Sequence, residues 1–313
     1  MRLEPLFCPV CRSGSAFAIR AEAALSGKND YSLEECLDCG SRFLNPFPED
    51  PVLADFYTHS YYGSDWYKQL GKGMAFARCE LVSIEPGVFL DIGCGLGHFM
   101  EGIRRHSRWQ VRGVEFSSVS ADFARLRLGL DVRHGALSEC GFDRNSIDYV
   151  RVNNVLEHVR NPRDFLLECR RILKPGGTLF LSIPNGPVDS RNLETFYRQE
   201  KTGAVSCHGH LVFFHPRALL RLLEECGFRM QRSYSYGIRR GLKSLGLYPR
   251  TGKWKEMYRP RPRATGDDAP GDVRLAPGKN RPDWYYVYRH TLARFKRVPG
   301  LRSFALDYLL YLK

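Results

Sequence analysis

The sequence predicts an α/β fold, a doubly wound and mostly parallel sheet covered by helices on both faces, with a small cysteine-bearing module in front of it. Three observations lead there. From residue 70 onward, apolar runs with strand character alternate with helical stretches of about 10–15 residues, the pattern of a parallel sheet. The first of those strands runs into a glycine-rich turn, FLDIGCGLGHFM over residues 89–100. Two CxxC pairs open the chain.

Those pairs are Cys8-Pro-Val-Cys11 and Cys36-Leu-Asp-Cys39, separated by 24 residues. Each pair brings two thiolates within reach of one tetrahedral ion, and the paired spacing is that of a zinc ribbon. With no fifth ligand nearby, a closed structural Zn2+ site is expected at Cys8, Cys11, Cys36 and Cys39, holding together a module over 1–48 too small to make much core of its own. The other six cysteines, 79, 94, 140, 169, 207 and 226, lack pairing and read as buried or incidental.

Residues 49–69, rich in proline and aromatics, read as a linker packed onto the next domain, with a short helix near 51–57. Tyrosines 57, 61, 62 and 67 are candidates to roof a pocket or to fill an interdomain seam. A helix then runs through MAFARCELVSIE to Pro86-Gly87. Strand VFLDI, helix HFMEGIRRH, strand WQVRGVEF, helix SVSADFARLRLGL and short strand DVRHG follow. Strand SIDYVRVNN, helix DFLLECRRIL ending at Lys174-Pro175-Gly176-Gly177, strand TLFLSIP and helix PRALLRLLEECGF complete the run.

In such a sheet the ligand lies beyond the carboxyl ends of the strands, which is where the glycine turn falls. Bare backbone lets main chain approach a ligand and permits positive φ. The phosphate-loop pattern GxxxxGK[ST] is absent, and the turn is GxGxG rather than the GxGxxG of dinucleotide sites. Glu115 closes the second strand, where an acid can bind ribose hydroxyls.

Four stretches together resemble the class I S-adenosylmethionine-dependent methyltransferases over roughly 80–236: LDIGCGLG, Glu115, VNNVLEHVRNP after the fourth strand, and LKPGGTLFLSIPN across the fifth. The resemblance implies a Rossmann-like seven-stranded methyltransferase sheet and S-adenosyl-L-methionine as cofactor, packed against Asp91, Gly93, Gly95 and Gly97, with its ribose on Glu115. The loop after the third strand, Gly135-Ala136-Leu137, departs from the Gly-Asp usual there, so adenine is expected against backbone and Leu137. Asn153 and Asn154 are candidates for the cofactor carboxylate, the substrate, or a cap. The cysteine pairs, FLNPFP and the segment HGHLVFFHPRALLRLLEECGF are also similar to a subset of bacterial sugar and natural-product methyltransferases.

Methyl transfer from a sulfonium needs an acceptor held in line with the S–CH3 bond and water excluded. A hydroxyl acceptor also needs a base, for which histidine is suited near neutral pH. The catalytic candidates, in order, are His210, His158 and His208. Residues 185–210 form an expected insertion at the sheet edge, and 185–207 the expected acceptor lid.

The domain is expected to span 70–290, with a second insertion at 237–282 and WYYVYRH as the last, antiparallel strand. The terminal 291–313 places Leu301, Phe304, Ala305, Tyr308, Leu309 and Leu312 on one helical stripe, which predicts a basic, amphipathic helix that packs on the domain, on a second copy in a homodimer, or on a membrane.

The net charge of +13 is concentrated in the tail: residues 229–313 carry 20 Lys and Arg against 6 Asp and Glu, leaving 27 against 28 before them. Such a segment suits an anionic partner: a phosphorylated carrier, the inner membrane surface, or RNA. No apolar stretch suits a signal peptide or a membrane span, so a cytoplasmic location is expected, with peripheral attachment to the inner membrane face as an alternative. The leading functional expectation is O-methylation of a small-molecule, sugar or glycan hydroxyl. The alternatives are rRNA or tRNA methylation, using the ribbon and basic tail, and a non-catalytic scaffold.

Overall fold

The computed structural model describes residues 7–14, 17–25, 28–60, 66–200, 205–207, 209–237, 242, 285–286, 298–299 and 307–313. Its centre is an eight-stranded sheet ordered β12-β11-β13-β8-β7-β4-β5-β6. The strands are β4 (Val88–Ile92), β5 (Gln110–Glu115), β6 (Asp131–His134), β7 (Ile147–Asn153), β8 (Leu173–Pro184), β11 (Met230–Tyr236), β12 (Val298–Pro299) and β13 (Asp307–Leu312). From β6 across to β8 all neighbours pair in parallel, while β13 runs antiparallel to both β8 and β11. Seven strands thus form the expected doubly wound, mostly parallel sheet, and the two-residue β12 adds an edge.

Parallel strands are covered on both faces and so read as apolar runs rather than alternations. Strands β4 and β7 do so, being buried at nearly every position. Phe89 stacks on Tyr149 with ring centroids 5.3 Å apart, and Phe76 of helix α2 (Trp66–Cys79) meets that stack edge-on. Local chemistry sets the helix ends: Ser117 caps α4 (Ser118–Leu128), while Asn161 caps α5 (Pro162–Ile172) with Pro162 in its first turn.

The chain runs β4, β5, β6 toward one edge and then returns to place β7 on the other side of β4. Strand order therefore reverses at β4, and the crevice beyond its carboxyl end is where such sheets bind ligands. The glycine turn occupies that crevice and leads into α3 (His98–His106).

A second, five-stranded sheet has the order β10-β3-β2-β1-β9. Its strands β1 (Phe17–Leu25), β2 (Lys28–Cys36) and β3 (Arg42–Asn45) come from the cysteine-bearing segment, whereas β9 (Val205–Ser206) and β10 (Val212–Phe213) come from beyond the main β8 strand. Along the chain, α1 (Asp50–Ser60) follows β3, α6 (Gly186–Glu200) precedes β9, and α7 (Pro216–Glu225) follows β10. The expected 185–210 insertion is therefore α6 and β9, and it shares a sheet with the cysteine-bearing segment.

Two expectations at the C-terminus are corrected. The last antiparallel strand is Asp307–Leu312, not WYYVYRH, of which Tyr285 and Tyr286 are helical. Where the helix was expected over 291–313, the described residues 298–299 and 307–312 form β12 and β13. The run DYLLYL lies between β8 and β11 and is buried at four of its six positions, so its apolar content reflects burial on two faces; its helical spacing is incidental. Most of the 237–282 insertion, Tyr61, Tyr62 and His208 lie outside the described residues.

Candidate active site

The turn after β4 carries Gly93, Gly95 and Gly97 at φ of 70°, 56° and 79°. Gly93 illustrates the requirement: a Cβ there would lie 2.4 Å from Val155 Cγ2, in a conformation side chains avoid. Gly93 N and Cys94 N donate to Val114 O, tying the turn to β5. Glu115, at the end of β5, completes the brace: Oε2 accepts from Gly95 N at 2.7 Å and Oε1 from Ser117 N at 2.8 Å. Each oxygen keeps a lone pair for a further donor such as a ribose hydroxyl. Burial raises the Glu115 pKa, and the backbone N–H groups of Ser117, Gly95 and Phe116 oppose that shift.

Asp91 lies beneath this turn, fully buried, with Oδ1 accepting from Arg151 Nη1 at 2.7 Å. Arg151 in turn lies over the Phe99 ring at 3.7 Å. The Asp91 side chain is therefore directed to β7 and stiffens the floor of the crevice. Leu137 is buried in the main core at the start of a short 3-10 turn. Asn153 ends β7 partly buried, and Asn154 follows at φ 53°.

Helix α1 bridges this crevice to a second cluster. The Tyr57 ring lies 5.9 Å from Phe116, next to Glu115, and 5.8 Å from His158. Of the two described tyrosines among the four, Tyr57 packs against candidate site residues, while Tyr67 packs edge-on to Trp66.

His158 and His210 face each other with ring centroids 4.8 Å apart. His158 Nδ1 pairs with Gly209 O at 2.7 Å, so that nitrogen carries the proton and donates. His210 Nδ1 lies 2.7 Å from Asp189 Oδ2 of α6, which fixes the same tautomer. Burial, reinforced by His210, pushes the His158 pKa down to about 3. At His210 burial also disfavours the charged ring, but the Asp189 carboxylate outweighs it and holds the pKa up to about 8. Glu157 lies beside both rings, 2% exposed, with neither carboxylate oxygen hydrogen-bonded, and burial raises its pKa to about 7 against the pull of His210. This group can accept and retain a proton taken from a bound hydroxyl. One member of it is not marked in the sequence: Asp189 falls in an insertion whose helical register alone brings it to His210, whereas Glu157 stands beside His158 within VNNVLEHVRNP without having been singled out.

The cysteines converge as their spacing predicts. Cys8 and Cys39 sulfurs are 3.7 Å apart, Cys11 and Cys36 sulfurs 3.6 Å, and all four lie within 4.8 Å of one another. A tetrahedron with Zn–S bonds of about 2.3 Å has edges of roughly 3.8 Å, so the four donors fit that ion. Two matching tight turns present them, with Arg12 N donating to Cys8 O and Gly40 N to Cys36 O.

A family model described as a methyltransferase domain matches residues 68–233, more than half of the chain. The chain belongs to the methyltransferase domain family. Within that family its central fold is of the class I S-adenosylmethionine-dependent kind. A probable S-adenosylmethionine-dependent methyltransferase of Mycolicibacterium smegmatis is 30% identical over 161 residues, 50% of this chain and 57% of that protein. A ubiquinone biosynthesis O-methyltransferase of Idiomarina loihiensis is 33% identical over 143 residues, 43% of this chain and 58% of that protein. The chain thus spans somewhat over half the length of these curated relatives. Among solved structures, a SAM-dependent methyltransferase from Thermotoga maritima aligns over 79% of this chain and 92% of its own, at 18% identity and a TM-score of 0.46. Among the described residues, this methyltransferase-domain protein has no helix long and apolar enough to cross a membrane.

Proposed function

We propose that the protein transfers a methyl group from S-adenosyl-L-methionine to a hydroxyl of a small molecule, sugar or glycan. The observation that carries this reading is the His210–Asp189 pair, which sits beside His158 and Glu157 and is linked through Tyr57 to the cofactor crevice. Asp189 orients the ring and stabilises the imidazolium that forms when Nε2 takes the hydroxyl proton. Gly93, Gly95, Gly97, Glu115 and Asn153 line the cofactor side. Asp91 supports that side from below, and Leu137 helps enclose adenine. When bound, the cofactor supplies the electrophilic methyl; the chain's own residues align the acceptor, exclude water and remove its proton. The ubiquinone O-methyltransferase relatives favour oxygen as the acceptor atom. The four cysteines support a structural Zn2+ in the same protein.

Incubating the protein with methyl-labelled cofactor and separate pools of hydroxylated quinones, nucleotide sugars, glycans and RNA tests this reading. Label is expected in a hydroxyl-bearing small molecule or glycan, with kcat/KM rising as pH approaches about 8 and His210 loses its proton. Label entering RNA alone would remove the proposal in favour of the nucleic-acid alternative.

A further inference from the structure

We infer that Arg151 is a positioning residue for the cofactor: it grips one oxygen of Asp91 and leaves the other, Oδ2, to receive the ammonium group of the cofactor's amino-acid end. Arg151 stands opposite Asp91 in the β4–β7 pairing, and its Nη1 donates to Asp91 Oδ1 at 2.7 Å. A guanidinium can bind both oxygens of a carboxylate at once. Here only Oδ1 is taken, and Oδ2, on a side chain closed off from solvent, has no hydrogen-bond partner.

Stability does not account for this arrangement. A buried ion pair is often no better than apolar residues of the same volume, and an acceptor oxygen shut away from water without a donor costs free energy. A donor that arrives with the ligand removes that cost. The place fits such a donor, for Asp91 stands two residues before Gly93, and its charge is felt at Cys94 in the glycine turn and at Glu115 on β5. Arg151 is fixed from its other side, the guanidinium lying 3.7 Å from the centre of the Phe99 ring in the first turn of α3. One arginine thus ties the strand before the turn to the helix after it. Glu115 and Asp91 then have separate tasks, the first toward the ribose and the second toward the ammonium.

Arg151 acts through charge. Burial raises the Asp91 pKa, and the arginine opposes that shift. Among the described residues, the titratable groups that interact with the pair are Glu115, Cys94 and Tyr149, none of which supplies a positive charge. Without the arginine, burial alone acts on the carboxyl, which stays protonated to higher pH and loses its attraction for an ammonium group. The inference rests on the cofactor reading and is independent of the acceptor.

Calorimetry with two ligands separates this role from a merely structural one. S-adenosylhomocysteine has the amino-acid end, whereas methylthioadenosine keeps the adenine and ribose and lacks it. Arg151→Gln is expected to weaken S-adenosylhomocysteine about 10- to 100-fold near neutral pH, the range for a hydrogen bond to a charged group, and to leave methylthioadenosine unchanged. The lost affinity should return as pH rises from about 7 to about 8.5 and Asp91 ionises, and Arg151→Lys should restore most of it. In the wild type, S-adenosylhomocysteine stripped of its amino group should bind about 10- to 100-fold more weakly than the parent, a comparison that needs no variant. Equal weakening of both ligands by folded Arg151→Gln, or wild-type affinity indifferent to the amino group, overturns the role of Arg151 and leaves the cofactor site standing. Wild-type protein that binds neither ligand removes the cofactor site and this inference with it.

Discussion

Replacing His210 by asparagine is expected to slow methyl transfer by about 10²- to 10⁴-fold, the range for loss of a positioned proton-transfer group. Affinity for S-adenosylhomocysteine should stay unchanged. Asparagine is the informative substitution because its amide can take the Nδ1 position and keep donating to Asp189 Oδ2, now 2.7 Å away. An alanine would leave that carboxylate, on a side chain only 12% exposed, without its partner, and would mix a folding defect into the kinetics. Asparagine has no atom equivalent to Nε2, so it removes proton acceptance. Glu115 and the glycine turn lie across Tyr57 from His210 and share no hydrogen bond with it. A binding curve that shifts along with the rate would therefore mean that the two halves of the site are coupled, against the division of labour proposed above.

Removing the zinc proposed at the four cysteines is expected to have the second largest effect, and on the acceptor side alone. Structural zinc contributes on the order of 10 kcal/mol to small modules of this kind. The consequence reaches the active site because sheet β1–β3 is bonded to the segment bearing His210. Leu44 N donates to Leu211 O at 2.9 Å, and His215 N to Ser41 Oγ at 3.0 Å, two residues from Cys39. Arg42 bonds Ser190 Oγ and Glu194 Oε1 on α6, the helix that supplies Asp189. Treatment with a strong chelator should therefore raise amide hydrogen exchange through β1–β3 and residues 205–215 and abolish methyl transfer, while the protein still binds S-adenosylhomocysteine. Exchange left unchanged after the metal is gone would show that the cysteines do not brace the acceptor side.

What was legible in the sequence divides along physical lines. Helix HFMEGIRRH and strand VFLDI fall at their predicted bounds, since a long run of local signals, glycine turn included, agreed at that point. The cysteine site was readable because metal geometry constrains spacing. Asp189 was not, for its importance comes from where α6 puts it, which no local pattern encodes; Glu157 stands within VNNVLEHVRNP, but only its burial beside His210 marks it out. The tail failed for a different reason. An apolar run of six residues carries no decisive period, and whether DYLLYL becomes helix or strand is settled by the empty position between β8 and β11, a tertiary fact. Asp91 is an intermediate case: the resemblance implied contact with the cofactor, whereas its side chain is buried against Arg151, a bond that depends on the pairing of β4 with β7.

Calorimetry with S-adenosylhomocysteine tests the central claim, that the Glu115-braced glycine turn is the cofactor site, most directly. One molecule is expected to bind per chain. Glu115→Ala should weaken it by about 1.5–3 kcal/mol, roughly 10- to 150-fold in Kd, because the carboxylate both grips the ribose and holds Gly95 and Ser117 in place. Absence of heat with the wild-type protein, or heat with a nicotinamide dinucleotide in its place, would contradict the account.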